Sequence, residues 1–203
     1  MSELFSSLPG TRAQARGLFL DVWGTLCERP EQGFPTGPDD VRFYPNVLDA
    51  LFGLSRMGFV PYLIGNEQGV AHGHVSDASW KEIEHHLLEG ISAAGIELGR
   101  SYLCLDDPEG KGPHQAESVF FLPGTGAFFH AAHNDEIDLE RSWVVGDSTL
   151  ELVAGWRAGL QCAAVRTGLA LSDRVYEVEL NDDAPDLLTL LHQLRAVAPR
   201  RAA

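Results

Sequence analysis

The sequence predicts an α/β fold built on a doubly wound parallel sheet, and three observations carry that prediction. Short apolar runs such as Leu18, Phe19 and Leu20 read as strands covered on both faces. Stretches with apolar residues three and four apart alternate with those runs along the chain, the order of successive βαβ units. A carboxylate, Asp21, stands where the first run ends, and open α/β sheets place their sites at that edge.

The elements follow in order. Residues 1 to 15 read as a mobile arm, and Gly17 to Val22 as the first strand. Cys27 to Tyr44 (CERPEQGFPTGPDDVRFY) is rich in Pro, Gly and acid, which predicts a long loop, and long loops in compact domains tend to be functional. Val47, Leu51 and Leu54 mark a helix, and Phe59 to Ile64 a second buried strand in which Pro61 is awkward. Trp80, Ile83, Leu87 and Ile91 define the next helix, with Asp77 and Ser79 as candidate N-caps. Further strands are expected at Ser101 to Leu105, Ser142 to Val145 and Gln161 to Val165, separated by helices at Gly126 to Ala132 and Leu150 to Ala158. Asp106 to Glu117 reads as a second surface loop. A strand near Tyr176 to Val178 and a helix carrying Leu187, Leu191 and Leu194 close the chain.

At 203 residues this is one domain, spanning 16 to 203 behind the arm. The 15 basic and 29 acidic residues give a formal charge of −14, which repels polyanions, so nucleic acid and anionic membranes are excluded as partners. A small phosphorylated metabolite is an anion too, and would need local positive charge from a metal ion or helix N-termini. Cys27, Cys104 and Cys162 form no CxxC pair, which fits a reducing, cytoplasmic setting. The N-terminal stretch lacks the apolar core of a secretory signal, and no run approaches the roughly 18 apolar residues of a membrane span. Association with further copies stays open.

The chemistry is concentrated at the strand ends. In Leu20 to Leu26 (LDVWGTL), Asp21 ends an apolar strand, Gly24 allows a turn, and Thr25 follows. A carboxylate with an ordinary pKa near 3.9 is ionised at neutral pH and attacks without an activating base. In Trp143 to Leu160 (WVVGDSTLELVAGWRAGL), Asp147 and Glu151 stand four apart and face the same way if a helix has begun there.

Taken in order, these strings resemble the haloacid dehalogenase (HAD) superfamily, over roughly residues 17 to 169. LDVWGTL is similar to its first motif, DxDxT, and VGDSTLE to its fourth, VGDxxxD. YLIGNEQGVAHG, Tyr62 to Gly73, resembles the VVTNQSGIARG pattern of subfamily IIIA, in the branch of histidinol-phosphate and heptose-bisphosphate phosphatases. YLCLDDP, Tyr102 to Pro108, resembles that branch's YCPHHP loop. The resemblance implies a Rossmann-like HAD fold, here with no insertion large enough for a cap domain. It implies Asp21 as nucleophile and Mg²⁺ held by Asp21, the backbone carbonyl of Trp23 and Asp147, with Thr25 and Glu151 in support. An all-oxygen set of this kind suits Mg²⁺. Phosphate binding falls to Gly65 and Asn66.

Several positions depart from the pattern. Trp23 stands where the general acid belongs, Gly65 where a Thr or Ser is usual, Glu67 where a Gln is usual, and Leu122 where the third motif has Lys. Proton transfer contributes about 10²–10⁴-fold and one preorganised electrostatic contact about 10²–10³-fold. In the zinc loop only Cys104 persists, with Asp106, Asp107, Ser118 and Phe120 at the other ligand positions, so four-ligand zinc is not expected. His72, His74, His85 and His86 read as exposed histidines rather than ligands. Three functions stay open: a Mg²⁺-dependent phosphatase restricted to good leaving groups, a non-catalytic phosphometabolite- or partner-binding relative, and a 2-haloacid dehalogenase. The last is suggested by an aromatic residue at position 23.

Overall fold

The computed structural model describes residues 14–197. Six strands form one parallel sheet: β1 (Arg16–Asp21), β2 (Phe59–Asn66), β3 (Ser101–Cys104), β4 (Trp143–Gly146), β5 (Gln161–Val165) and β6 (Asp182–Ala184). Their order is β3-β2-β1-β4-β5-β6, so the winding reverses between β1 and β4. That reversal opens a crevice at the carboxyl ends of the two strands, where doubly wound folds hold ligands. The fold class expected from the sequence is the one found, and no separate cap domain interrupts it among the described residues.

The helices are α1 (Val47–Ser55), α2 (Gln68–Ala71), α3 (Asp77–Ala93), α4 (Gly126–Asn134), α5 (Thr149–Arg157) and α6 (Leu187–Val197). Alternating strand residues feed two cores, one on each face. Leu18, Leu20 and Leu63 pack with Leu51, Leu54, Ile83 and Leu191, which places α1, α3 and α6 on one face. Phe19, Tyr62, Ile64 and Val144 pack with Phe128 and Leu152, which places α4 and α5 on the other. Phe19 stacks on Tyr62 at 4.6 Å between centroids, across the β1–β2 pair that their register sets opposite each other. Strands buried on both faces lose the polar alternation of an exposed sheet, which is why they read as continuous apolar runs.

Pro61 is accommodated by register. Its carbonyl accepts from the Gly99 N–H at 2.8 Å, so that edge of the residue faces β3, whose pairing with β2 begins only at Leu63↔Ser101. The missing Pro N–H therefore falls before the ladder starts. At α3 the cap is Ser76, whose hydroxyl accepts from Ser79 N–H at 3.1 Å, rather than Asp77 or Ser79.

Two further expectations change. The strand foreseen near Tyr176 to Val178 is irregular backbone, and the last strand is Asp182–Ala184. Val178 packs against the α4/α5 core without joining the sheet, and the edge strand that does pair is polar, so apolar content misidentified it. Residues 1–13 of the expected arm lie outside the described residues. Ala15 is fixed: it pairs with Ile137, and its carbonyl accepts from Asp138 N–H at 2.9 Å. No described helix is long and apolar enough to cross a membrane.

Candidate active site

Asp21 is the last residue of β1 and Asp147 the first after β4, so the crevice between these adjacent strands brings the two carboxylates together. Glu151 joins them from the first turn of α5. Ser148 caps that helix, and Glu151 turns back to accept from the Ser148 N–H at 2.6 Å in a capping box. Helix entry therefore does what the four-residue spacing predicts. Each of the three acids offers an oxygen within 4.8 Å of the others'. The Oδ2 of Asp21 is buried without a hydrogen-bond partner, as is the hydroxyl of Thr25.

Three acids this close, largely out of water, resist ionising together. Burial raises Asp21 well above the ordinary carboxylate range, and the neighbouring Glu151 and Asp147 add to it. Burial lifts Asp147 to about 6, against the Leu169 N–H and the positive charge of Arg29, which pull it down. Glu151 rises to about 7, chiefly through burial. An unpartnered buried carboxylate oxygen aimed at two more acids is a donor set suited to a hard divalent cation. The Trp23 carbonyl accepts no backbone hydrogen bond among the described residues and is open to the same role.

Asp147 is held by a segment that the strand-end strings did not single out. After β5 the chain turns back so that Leu169 N–H donates to Asp147 Oδ2 at 2.6 Å and Leu171 N–H to its carbonyl at 2.7 Å. Gly168 and Gly24 close on the same carboxylate, both at positive φ (57° and 105°), and a Cβ on either would overlap it. The apolar run ending at Val165 was the signal available for this segment, since a glycine just past a buried strand marks a turn at the sheet's carboxyl edge.

The departures from the family pattern form a connected patch. Trp23 is buried, and its indole N–H donates to both carboxylate oxygens of Glu67 at 3.3 and 3.2 Å. Burial pushes Glu67 to about 8, against that hydrogen bond, so Glu67 is protonated at neutral pH. Gly65 lies beside Asp21: a Cβ there would sit 3.9 Å from Asp21 Oδ1 and 3.4 Å from Leu103. Asn66 gives both its polar groups to Leu122, accepting from the backbone N–H at 2.8 Å and donating to the carbonyl at 2.9 Å. Leu122 lines the cleft with an apolar side chain only 3% exposed, so position 122 brings no charge.

The Cys27 to Tyr44 loop, read from the sequence as long and functional, contributes Arg29, Gly33 and Phe34 to the cleft wall. Arg29 is the one basic residue between Asp21 and Arg42, a signal legible in the sequence but not drawn from it. The Asp106 to Glu117 loop is fastened by hydrogen bonds. Asp107 accepts from Glu109 N–H at 2.7 Å and from Gln68 at 3.0 Å, and lies 3.3 Å from His72, while His114 bridges Asp77 and Asp106.

Fold and site together define a HAD-like hydrolase, and a HAD-hydrolase-like family model matches residues 123–194. The D-glycero-beta-D-manno-heptose-1,7-bisphosphate 7-phosphatase of Haemophilus influenzae is 30% identical over 154 residues, covering 75% of this chain and 83% of the relative. The D-glycero-D-manno-heptose-1,7-bisphosphate 7-phosphatase of Thermosynechococcus vestitus is 32% identical over 165 residues, 79% of this chain and 82% of its own. The chain belongs to the heptose-bisphosphate phosphatase family of the HAD-like hydrolases. Its fold matches a crystal structure of D,D-heptose 1,7-bisphosphate phosphatase from B. bronchiseptica, complexed with magnesium and phosphate. The TM-score is 0.77 at 22% identity, over 89% of this chain and 98% of that one. The relatives support the phosphatase reading and lend nothing to the non-catalytic or dehalogenase alternatives.

Proposed function

We propose that the chain is a Mg²⁺-dependent phosphatase in which Asp21 attacks phosphorus, acting on a small phosphorylated metabolite of sugar type in a cytoplasmic setting. The observation that carries this reading is the buried, unpartnered Asp21 Oδ2 at the sheet's reversal, within reach of Asp147 and Glu151. Asp21, the Trp23 carbonyl and Asp147 are the residues that would hold Mg²⁺, which supplies positive charge that keeps the acids ionised and admits an anion.

Asp21 forms a bond to phosphorus as the bond to the leaving oxygen breaks, giving an aspartyl phosphate. Water then cleaves it to inorganic phosphate and free Asp21. The backbone at Gly65 and Asn66 borders the phosphoryl group, and Asn66 contributes by fixing the Leu122 backbone rather than by reaching substrate. Trp23 has no carboxyl proton to give, and its indole N–H is directed to Glu67. The leaving oxygen therefore departs best when it needs no proton at position 23, which favours acyl, aryl and anomeric phosphates over ordinary sugar alcohol esters. The relatives' names supply the sugar class: they act on a heptose bisphosphate.

The test is phosphate release from matched anomeric, acyl and primary-alcohol phosphates, with and without Mg²⁺, in wild type and Asp21→Asn. Mg²⁺-dependent release that favours the first two and disappears in Asp21→Asn is expected. Silence across the panel, or full activity in Asp21→Asn, overturns the reading.

A further inference from the structure

The cleft has a charge imbalance. Three acids meet in it, Asp21, Asp147 and Glu151, and position 122 offers only an apolar side chain. A phosphate monoester arriving there carries further negative charge. One cation lines the cleft among the described residues, Arg29.

Arg29 is free to meet it. Arg42, Arg100, Arg141 and Arg166 each lie within ion-pair distance of a carboxylate, with Glu28, Asp135, Asp138 and Asp183 respectively. Arg29 has no such ion pair among the described residues. Its guanidinium rests near the Gly33 backbone, where an added Cβ would come 3.7 Å from Nη2. It lines the same cleft as Asp21, Asp147 and Glu151.

The backbone that carries Arg29 is fixed at both ends. Glu28 N–H donates to the Arg42 carbonyl at 2.8 Å, Tyr44 N–H to the Leu26 carbonyl at 3.2 Å, and Gly33 N–H to the Pro30 carbonyl at 2.9 Å. Phe34 lies against Gly69 and stacks on His74 at 5.2 Å, pinning the far side of the loop to the α2 region. A guanidinium on an anchored loop keeps a long, rotatable side chain but starts from a defined point, and its planar fork matches two oxygens of one phosphoryl group.

We infer that Arg29 grips the phosphoryl group being transferred and supplies the positive charge that position 122 lacks. This rests on the phosphatase reading, and it names the residue that lets so acidic a cleft accept its substrate. The two phosphoryl oxygens accept hydrogen bonds from the guanidinium while Asp21 approaches phosphorus from the strand end.

Titration of inorganic phosphate into Mg²⁺-saturated wild type, Arg29→Ala and Arg29→Lys tests it, alongside turnover of a sugar monophosphate and the matching bisphosphate. Arg29→Ala should bind phosphate about tenfold to a hundredfold more weakly, the span expected for charge-assisted hydrogen bonds, with Arg29→Lys between. Mg²⁺ affinity in Arg29→Ala should equal or exceed wild type, because a positive charge near Asp147 has gone, so weaker phosphate binding is not a lost metal. Equal phosphate affinity in Arg29→Ala and wild type overturns the inference and leaves the phosphatase reading intact. A defect confined to the bisphosphate also overturns it, since Arg29 would then read a distal group. Wild type that neither binds phosphate nor hydrolyses any ester removes the phosphatase reading and this inference together.

Discussion

Replacing Glu67 by Gln should make the protein more stable, by an amount that grows with pH. Glu67 is 3% exposed, its hydrogen-bond donor is the Trp23 indole, and burial raises its pKa from 4.5 to about 8. The folded protein thus holds this proton more tightly than the unfolded chain, and the stability it contributes is complete below pH 4.5 and is lost as pH rises through about 8. At about 1.4 kcal/mol per pH unit the full loss is about 5 kcal/mol above pH 8, and about 3 kcal/mol at pH 7. Gln has the shape of the protonated acid, keeps an oxygen for the Trp23 N–H, and does not titrate. Glu67→Gln should therefore match wild type near pH 4.5 and exceed it by about 3 kcal/mol at pH 7, roughly 6–12 °C in Tm for a domain of this size. Urea and thermal unfolding of both proteins in EDTA, from pH 4.5 to 9, measure this. A stability difference that does not change with pH, or a variant no more stable than wild type at pH 8, would refute the burial argument.

Asn66→Ala removes two hydrogen bonds to the Leu122 backbone and should cost about 2–4 kcal/mol in urea unfolding, with the denaturant slope unchanged. A loss below about 0.5 kcal/mol would show that the Leu122 segment holds its place without Asn66. Burial lifts Asp147 to about 6 and Glu151 to about 7, so without metal their protons stabilise the fold at low pH and that stability is lost as pH rises through those values. Mg²⁺ competes with the same protons, so its thermal stabilisation should be clearly larger at pH 8 than at pH 5.5. A pH-independent Mg²⁺ effect would place the ion elsewhere.

The strands and the site's main acids were legible because the same physics produces both signals. β1, β2, β4 and β5 are apolar on both faces, and the residue that ends each run must face the carboxyl edge of the sheet. Asp21 and Asp147 could thus be paired from sequence once the parallel order was expected. Asp182–Ala184 was missed because an edge strand needs only backbone pairing with β5, and its polar side chains carry no apolar signal. The Gly168–Leu169 clamp on Asp147 was only half legible: a glycine past the apolar run marks a turn, but the hold itself is a backbone N–H donated across 22 residues, which any residue except proline at position 169 would supply. Trp23 and Glu67 were each visible as departures from a pattern. Their contact depends on a separation of 44 residues closing in space, and only the fold shows that the two substitutions share one hydrogen bond. Arg29 sits in a loop whose path periodicity cannot predict.

The central claim is that Asp21 accepts a phosphoryl group. Its most direct measurement is a crystal structure of the protein with Mg²⁺ and beryllofluoride, a mimic of the phosphoryl group on a carboxylate. Beryllium bonded to an Asp21 carboxylate oxygen, with Mg²⁺ on Asp21, the Trp23 carbonyl and Asp147, is the predicted result. Beryllofluoride absent from Asp21 in crystals that do hold Mg²⁺ at those residues would contradict the account.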